Sequence, residues 1–328
     1  MPSFRDSIEQ AVVIGCSAAR MIAPSELQDW VDDDVVANSR LYIVARRPRL
    51  TFTAARAADN GYTELRLQTP QNGPVVQTFV RTDPPFDMTA EEGGQWIKIS
   101  VGDDVIFDDR PSRLLHSLEI PVEGNPPDVA HVENDLLNLE VLYVGKSNDD
   151  GGVIRRRLTA HSTLQQILAD HIDHAPDYEL WVLPLVFDEL STLTAILPNA
   201  VSRNKTVAES FAAMSPTLSA EARVALAEAA MIRYFDPKYN THYRASFPNR
   251  QHISYGEVFQ YDYNSLGFVL NIGAALNVTI GSASVPGAAH HEGWFAVDKP
   301  SERLPLTSEN MLNSLRSTAV PGSDEDAD

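Results

Sequence analysis

With 328 residues, 43% of them hydrophobic, the chain is long enough for two domains or one large one. A net charge of −19 argues against a surface that binds nucleic acid by general basicity, and a single cysteine, Cys16, excludes an internal disulfide. No apolar run approaches a membrane span, and the opening MPSFRDSIEQ lacks the basic-then-apolar layout of a secretory signal, so a cytoplasmic protein is expected.

The first segment reads as helix to about residue 37, with Ser25 as a cap ahead of Leu27, Trp30 and Val31. Cys16 follows the apolar run Ala11–Gly15 and reads as a small buried hydrophobe rather than a nucleophile. From Leu41 to Val122 the pattern turns to short strands: LYIVARR, LTFTAARA, TELRLQT, VVQTFVR, QWIKISV, DVIFDD and LLHSLEIPV. Turn signals at Asp59–Gly61, Gln71–Gly73 and Glu92–Gly94 separate them, which predicts a β-rich sandwich or barrel domain over residues 1–125. Gly124–Asp128, GNPPD, is the expected linker.

A second domain is expected over 126–245, alternating strand and helix. LNLEVLYVG reads as a strand, Val153 to about Ala169 as a helix, and Leu180–Phe187 as a strand whose Pro184 implies an edge or irregular position. A polar stretch over 188–218 precedes a helix from about Ser219 to Phe235 that stops before Pro237. Strand patterns return after Arg250, in ISYGEVFQYDY and LGFVLNIGAALNVTIG. Residues 246–315 can therefore complete the first domain, with the middle domain as an insertion. The acidic tail, 316–328, has the composition of a disordered segment.

Charge is uneven along the chain: net −11 over residues 1–140, −1 over 141–250 and −7 over 251–328. The near-neutral middle, with Arg155-Arg156-Arg157, is where a phosphate-bearing ligand is repelled least. There the stretch Glu140–Ser147, EVLYVGKS, ends in the letters that close a P-loop. The first P-loop glycine would fall at Glu140, however, and Val141–Val144 is a strand sequence that cannot wrap phosphates with successive N–H groups.

Two helices of the middle segment carry the chemistry. In the first, Ile154, Leu158, His161, Leu164 and Leu168 form one stripe, and Arg157 lies one turn before His161. Each reads by itself as ordinary, a solvated arginine and a partly buried histidine. In the second, Glu228 projects beside Val224, Met231 and Phe235. A carboxylate there needs a cationic partner, either a nearby arginine or a hard divalent ion such as Mg²⁺.

Taken in order, Tyr143-Val-Gly145, Arg157-Leu-x-x-His161 and the run Glu228-Ala-Ala-Met-Ile-Arg-Tyr-Phe-Asp-Pro-Lys-Tyr-Asn240 resemble the GIY-YIG nuclease superfamily over about residues 129–242. The resemblance implies an α+β fold, a small mixed sheet with flanking helices, and a metal-dependent endonuclease cleaving nucleic acid, DNA first, in DNA processing or defence against foreign DNA. It implies Tyr143 positioning the attacking water, Gly145 and Lys146 at the phosphate, and Arg157 neutralising transition-state charge. It further implies His161 in proton transfer or phosphate contact, Glu228 holding a single Mg²⁺ or Mn²⁺, and Asn240 fixing the site.

The family's first motif places a second tyrosine, a leading candidate base, about ten residues before Tyr143, yet residues 120–140 hold no G-x-Y. His131 is either the base in that tyrosine's place or an exposed loop histidine. The alternative is a GIY-YIG-like module without the reaction, acting through a protein partner or a second copy by way of its acidic β-rich domain. Two other motifs read as structural. His290-His-Glu-Gly-Trp294 lacks a zinc helix's histidine spacing and reads as a loop; Tyr255, Phe259, Tyr261 and Tyr263 alternate as one face of a strand.

Overall fold

The computed structural model describes residues 8–27, 29–30, 32–57, 62–81, 86–114, 138–147, 162–196, 218–242, 244, 247–248, 256–260, 263–276 and 278–297. His131, Arg157 and His161, and the acidic tail, lie outside the described residues.

In chain order the strands are β1 (Ile8–Gly15), β2 (Ala18–Ala19), β3 (Leu41–Pro48), β4 (Thr51–Ala57), β5 (Tyr62–Gln68), β6 (Val75–Arg81), β7 (Asp87–Glu91), β8 (Trp96–Val101), β9 (Asp104–Asp109), β10 (Leu139–Lys146), β11 (Tyr178–Val186), β12 (Glu189–Ile196), β13 (Ser265–Asn271), β14 (Ile280–Gly281) and β15 (His290–Ala296). The α-helices are α1 (Asp34–Asn38), α2 (Pro111–Leu114), α3 (Ser162–His174), α4 (Ala220–Phe235), α5 (Gly256–Gln260) and α6 (Gly273–Leu276). The protein is thus a mixed α and β fold. No described helix is long and apolar enough to cross a membrane.

The strands group, among the described residues, into a five-stranded sheet β14-β10-β3-β11-β2, a four-stranded sheet β12-β1-β13-β15, and two three-stranded meanders. The two larger sheets share one core. The chain turns from one into the other at Cys16–Ser17, between β1 and β2, and again between β11 and β12. Helix α4 lies against both, packing on β10, β13 and β15. It is buried on nearly every side, Ala222 and Val224 through Ile232 together with Phe235, as expected of a helix with little polar surface. On the opposite face of the five-stranded sheet, Leu164 and Ile167 of α3 pack on Tyr42, Val44, Leu142 and Val182.

The expected boundary near residue 126 is crossed by the hydrogen-bond ladder. Strand β3 lies between β10 and β11 and pairs antiparallel with both, from Leu41↔Lys146 to Arg46↔Glu140 and from Leu41↔Leu185 to Pro48↔Tyr178. The nesting is the reverse of the one the sequence suggested. The meanders β4-β5-β6 and β7-β8-β9 hang between β3 and β10 and close on a small core of their own, with Leu65, Ile97, Ile99 and Leu114.

Other expectations are corrected locally. Residues 8–15 are strand rather than helix, because Val12, Val13 and Ile14 are β-branched and β1 lies between β12 and β13. Part of the polar stretch after 188 forms β12, on β1. Residues 256–260 form helix α5, not strand: Glu257 accepts hydrogen bonds from the Ser219 amide (2.7 Å) and hydroxyl (2.6 Å), and Val258 enters the main core. His290–Trp294 is no loop but part of β15, paired antiparallel with β13. Pro184 lies beside the two-residue edge strand β2, and its missing N–H falls between the Ala19 pairing and the Ile22 bridge.

Candidate functional site at the end of strand β10

Strand β10 carries a bulge between Val141 and Tyr143. Val141 and Val144 face the main core with α4, whereas Leu142 and Tyr143 both meet the second core with α3. One extra residue thus re-aims Tyr143, which a strict two-residue alternation would not place beside Leu142.

That turn brings Tyr143 against Tyr42 of β3, ring centroids 6.0 Å apart at 46°. Gly145 pairs directly with Tyr42 across the ladder. A Cβ on Gly145 would stand 2.6 Å from Cε1 of Tyr143 and 2.7 Å from both Cζ and the hydroxyl oxygen of Tyr42. Glycine is required here by close approach. The rings, not a phosphate, take the space beside its α-carbon. Tyr42 is 0% exposed.

The next residue, Lys146, reaches the other way. Its Nζ lies 3.1 Å from Oε2 of Glu228, with side-chain exposures of 23% and 12%. The expected carboxylate in α4 therefore has a cationic partner, the lysine of YVGKS. Ser147 follows, with a buried hydroxyl that has no hydrogen-bond partner among the described residues.

Asn240 fixes the other edge of β10. Its amide donates to the Val144 carbonyl (2.8 Å), and its Oδ1 accepts from the Val144 N–H (2.9 Å). The Tyr239 amide donates to the Leu142 carbonyl (3.0 Å), so the turn after α4 acts as a strand on β10. Asp236 makes that turn in the left-handed region, φ 48° and ψ 53°, and ends the helix. The Tyr239 hydroxyl donates to Asp170 of α3 (2.8 Å). Burial, and then Asp170, push its pKa up to about 12. A cleft of about 430 Å³ adjoins Leu142 and Tyr239, between Arg46, Lys238 and the C-terminal half of α3.

Five of the expected residues thus lie at or against the end of β10, on two faces of the sheet: Tyr143 with Tyr42 on the α3 face, Lys146 with Glu228 on the α4 face, and Gly145 and Asn240 along the strand itself. Tyr42 joins them unforeseen. Its signal was the strand sequence Leu41-Tyr-Ile-Val44, hidden because the residues that separate it from Tyr143 hold two further sheets.

The Cys16 thiol is pushed up to about 12, chiefly by burial. His291 is buried, with Nε2 2.8 Å from the Ile280 carbonyl and Nδ1 3.3 Å from the Tyr234 hydroxyl, and burial lowers its pKa. No cluster of three or more His, Cys, Asp or Glu able to hold a metal occurs among the described residues. Among the described residues the carboxylate at this site is that of Glu228, which already holds the Lys146 ammonium. That chemistry fits a hard ion that keeps most of its waters.

Compared with family models, curated proteins and solved structures, the chain matches none.

Proposed function

We propose that the end of β10 is the active site of a divalent-metal-dependent endonuclease that hydrolyses nucleic-acid phosphodiester bonds, with DNA as the first substrate to test. The supporting observation is the pairing of Tyr42 and Tyr143 over Gly145. The GIY-YIG resemblance requires a second tyrosine beside Tyr143, and Tyr42 supplies it from the neighbouring strand, in place of His131.

In this reading the two tyrosines orient the attacking water, and one of them, as its phenolate, takes the proton to become the phenol. Arg157 neutralises charge building on the phosphate, and His161 contacts the phosphate or moves its proton. Glu228 would hold Mg²⁺ or Mn²⁺, which would supply Lewis-acid polarisation of the phosphate and charge stabilisation at the leaving oxygen. Asn240 holds the backbone of β10 at Val144, next to Tyr143. The test is cleavage of single- and double-stranded DNA and RNA with Mg²⁺ or Mn²⁺, wild type beside Glu228→Ala and Tyr42→Phe. Glu228→Ala abolishes cleavage, and Tyr42→Phe lowers it by about 10²- to 10⁴-fold. Unchanged cleavage in Glu228→Ala overturns the proposal.

Two observations favour the second reading, a binding or assembly module: Tyr42 is fully buried and Glu228 already holds Lys146. A wild-type chain inert on all four substrates with either metal, yet associating with itself or a protein partner, supports that reading instead.

A further inference from the structure

Resting on the metal reading, we infer that Lys146 is a tethered competitor for the divalent ion: its ammonium occupies the ion's place on Glu228 and is released when the ion binds.

A carboxylate on a helix buried nearly all round is costly to leave uncompensated. Glu228 has only 12% of its side chain exposed, and Lys146 meets its Oε2 at 3.1 Å. The pair joins a fixed group to a movable one. Glu228 is held in the middle of α4, with Ala227, Ala229, Ala230 and Met231 wholly buried around it. Lys146 is the last residue of β10, and its ammonium is carried on a flexible four-carbon stem.

A hard ion and an ammonium both seek the same oxygen. Binding of one releases the other, so the apparent metal affinity is lowered by the strength of the ion pair. Release also frees a positive charge on the residue between Gly145 and Ser147, whose hydroxyl is buried. That links metal binding to the arrival of a phosphate, which a freed ammonium attracts.

The experiment uses the full chain and Mn²⁺ as the probe. By calorimetric titration Lys146→Gln binds Mn²⁺ about tenfold more tightly than wild type. Lys146→Arg stays within about threefold of wild type. Glu228→Gln binds none in either background. Because Lys146→Gln removes an ion-pair partner from Glu228 and can alter folding, a second measurement uses the unmodified chain. Acetylation of Lys146, followed by mass spectrometry, rises several-fold on adding Mn²⁺, and the rise is absent in Glu228→Gln.

Equal Mn²⁺ affinity in wild type and Lys146→Gln, with binding lost in Glu228→Gln, overturns the competitor while leaving Glu228 a metal ligand. So does Lys146 labelling that Mn²⁺ leaves unchanged. Mn²⁺ binding that Glu228→Gln does not weaken overturns the metal reading and the competitor together.

Discussion

At the scale of residues, the site depends on a few side chains that substitute for backbone. Asn240 is the clearest case, because one buried amide satisfies both hydrogen-bonding groups of Val144. Strand β10 pairs with β14 only at Leu139 and Glu140, so without Asn240 the N–H and carbonyl of Val144 have no strand facing them. Asn240→Ala therefore costs about 2–4 kcal/mol by urea unfolding, the penalty for two buried groups left unmatched. Asn240→Asp keeps the acceptor but sets a buried carboxylate oxygen against the Val144 carbonyl, so it does not restore the stability. A loss below about 0.5 kcal/mol in Asn240→Ala would mean that water replaces the amide.

The same residues show what sequence reading reaches. Glu228 and Asn240 were visible because helix period, the Pro237 stop and the terminal asparagine lie in one short run. Tyr42 was not. Its relation to Tyr143 is one of strand pairing, which leaves no mark at any fixed spacing, and a long insertion separates the two strands. The Lys146–Glu228 pair was hidden for a related reason: the bulge at Leu142 sets which face each residue of β10 takes, and a bulge has no sequence signature here.

At the scale of elements, helix α4 organises the molecule. Its sequence predicted one core-facing row through Val224, Ala227, Met231, Tyr234 and Phe235. Instead Ala225, Ala229 and Ala230 are buried too, because sheets close on the helix from more than one direction. Alanines allow that approach where larger side chains would hold the sheets apart. At Ala230, which is wholly buried, a larger side chain has no space. Ala230→Leu is thus destabilising by about 1–3 kcal/mol, through overpacking, despite leucine's good helix propensity and added apolar surface. A thermal melt distinguishes the two forces: a raised Tm would show spare volume beside α4.

At the scale of the whole molecule, the question is how the inserted meanders are tied to the sheet that carries the site. The tie is a buried ion pair. Arg47 of β3 and Glu179 of β11 are both 0% exposed in their side chains, with Nε and Oε1 2.6 Å apart. The other Glu179 oxygen accepts from the Ser112 hydroxyl (2.8 Å), and the Trp181 indole donates to Oε1 (3.1 Å). Arg47 also donates to the Ser112 carbonyl (3.1 Å), so α2, which follows the last meander strand, is held by both charges. Removing one partner leaves the other charged and buried. Glu179→Gln and Arg47→Met each cost about 3–5 kcal/mol. The double variant Arg47→Met/Glu179→Leu costs much less than the sum, because neither charge then remains to be solvated. Urea unfolding of the four proteins closes the cycle. Singles that add to the double would show that the charges act separately and that the insertion is held by its apolar contacts. A coupling of about 2–3 kcal/mol identifies the pair as the clamp.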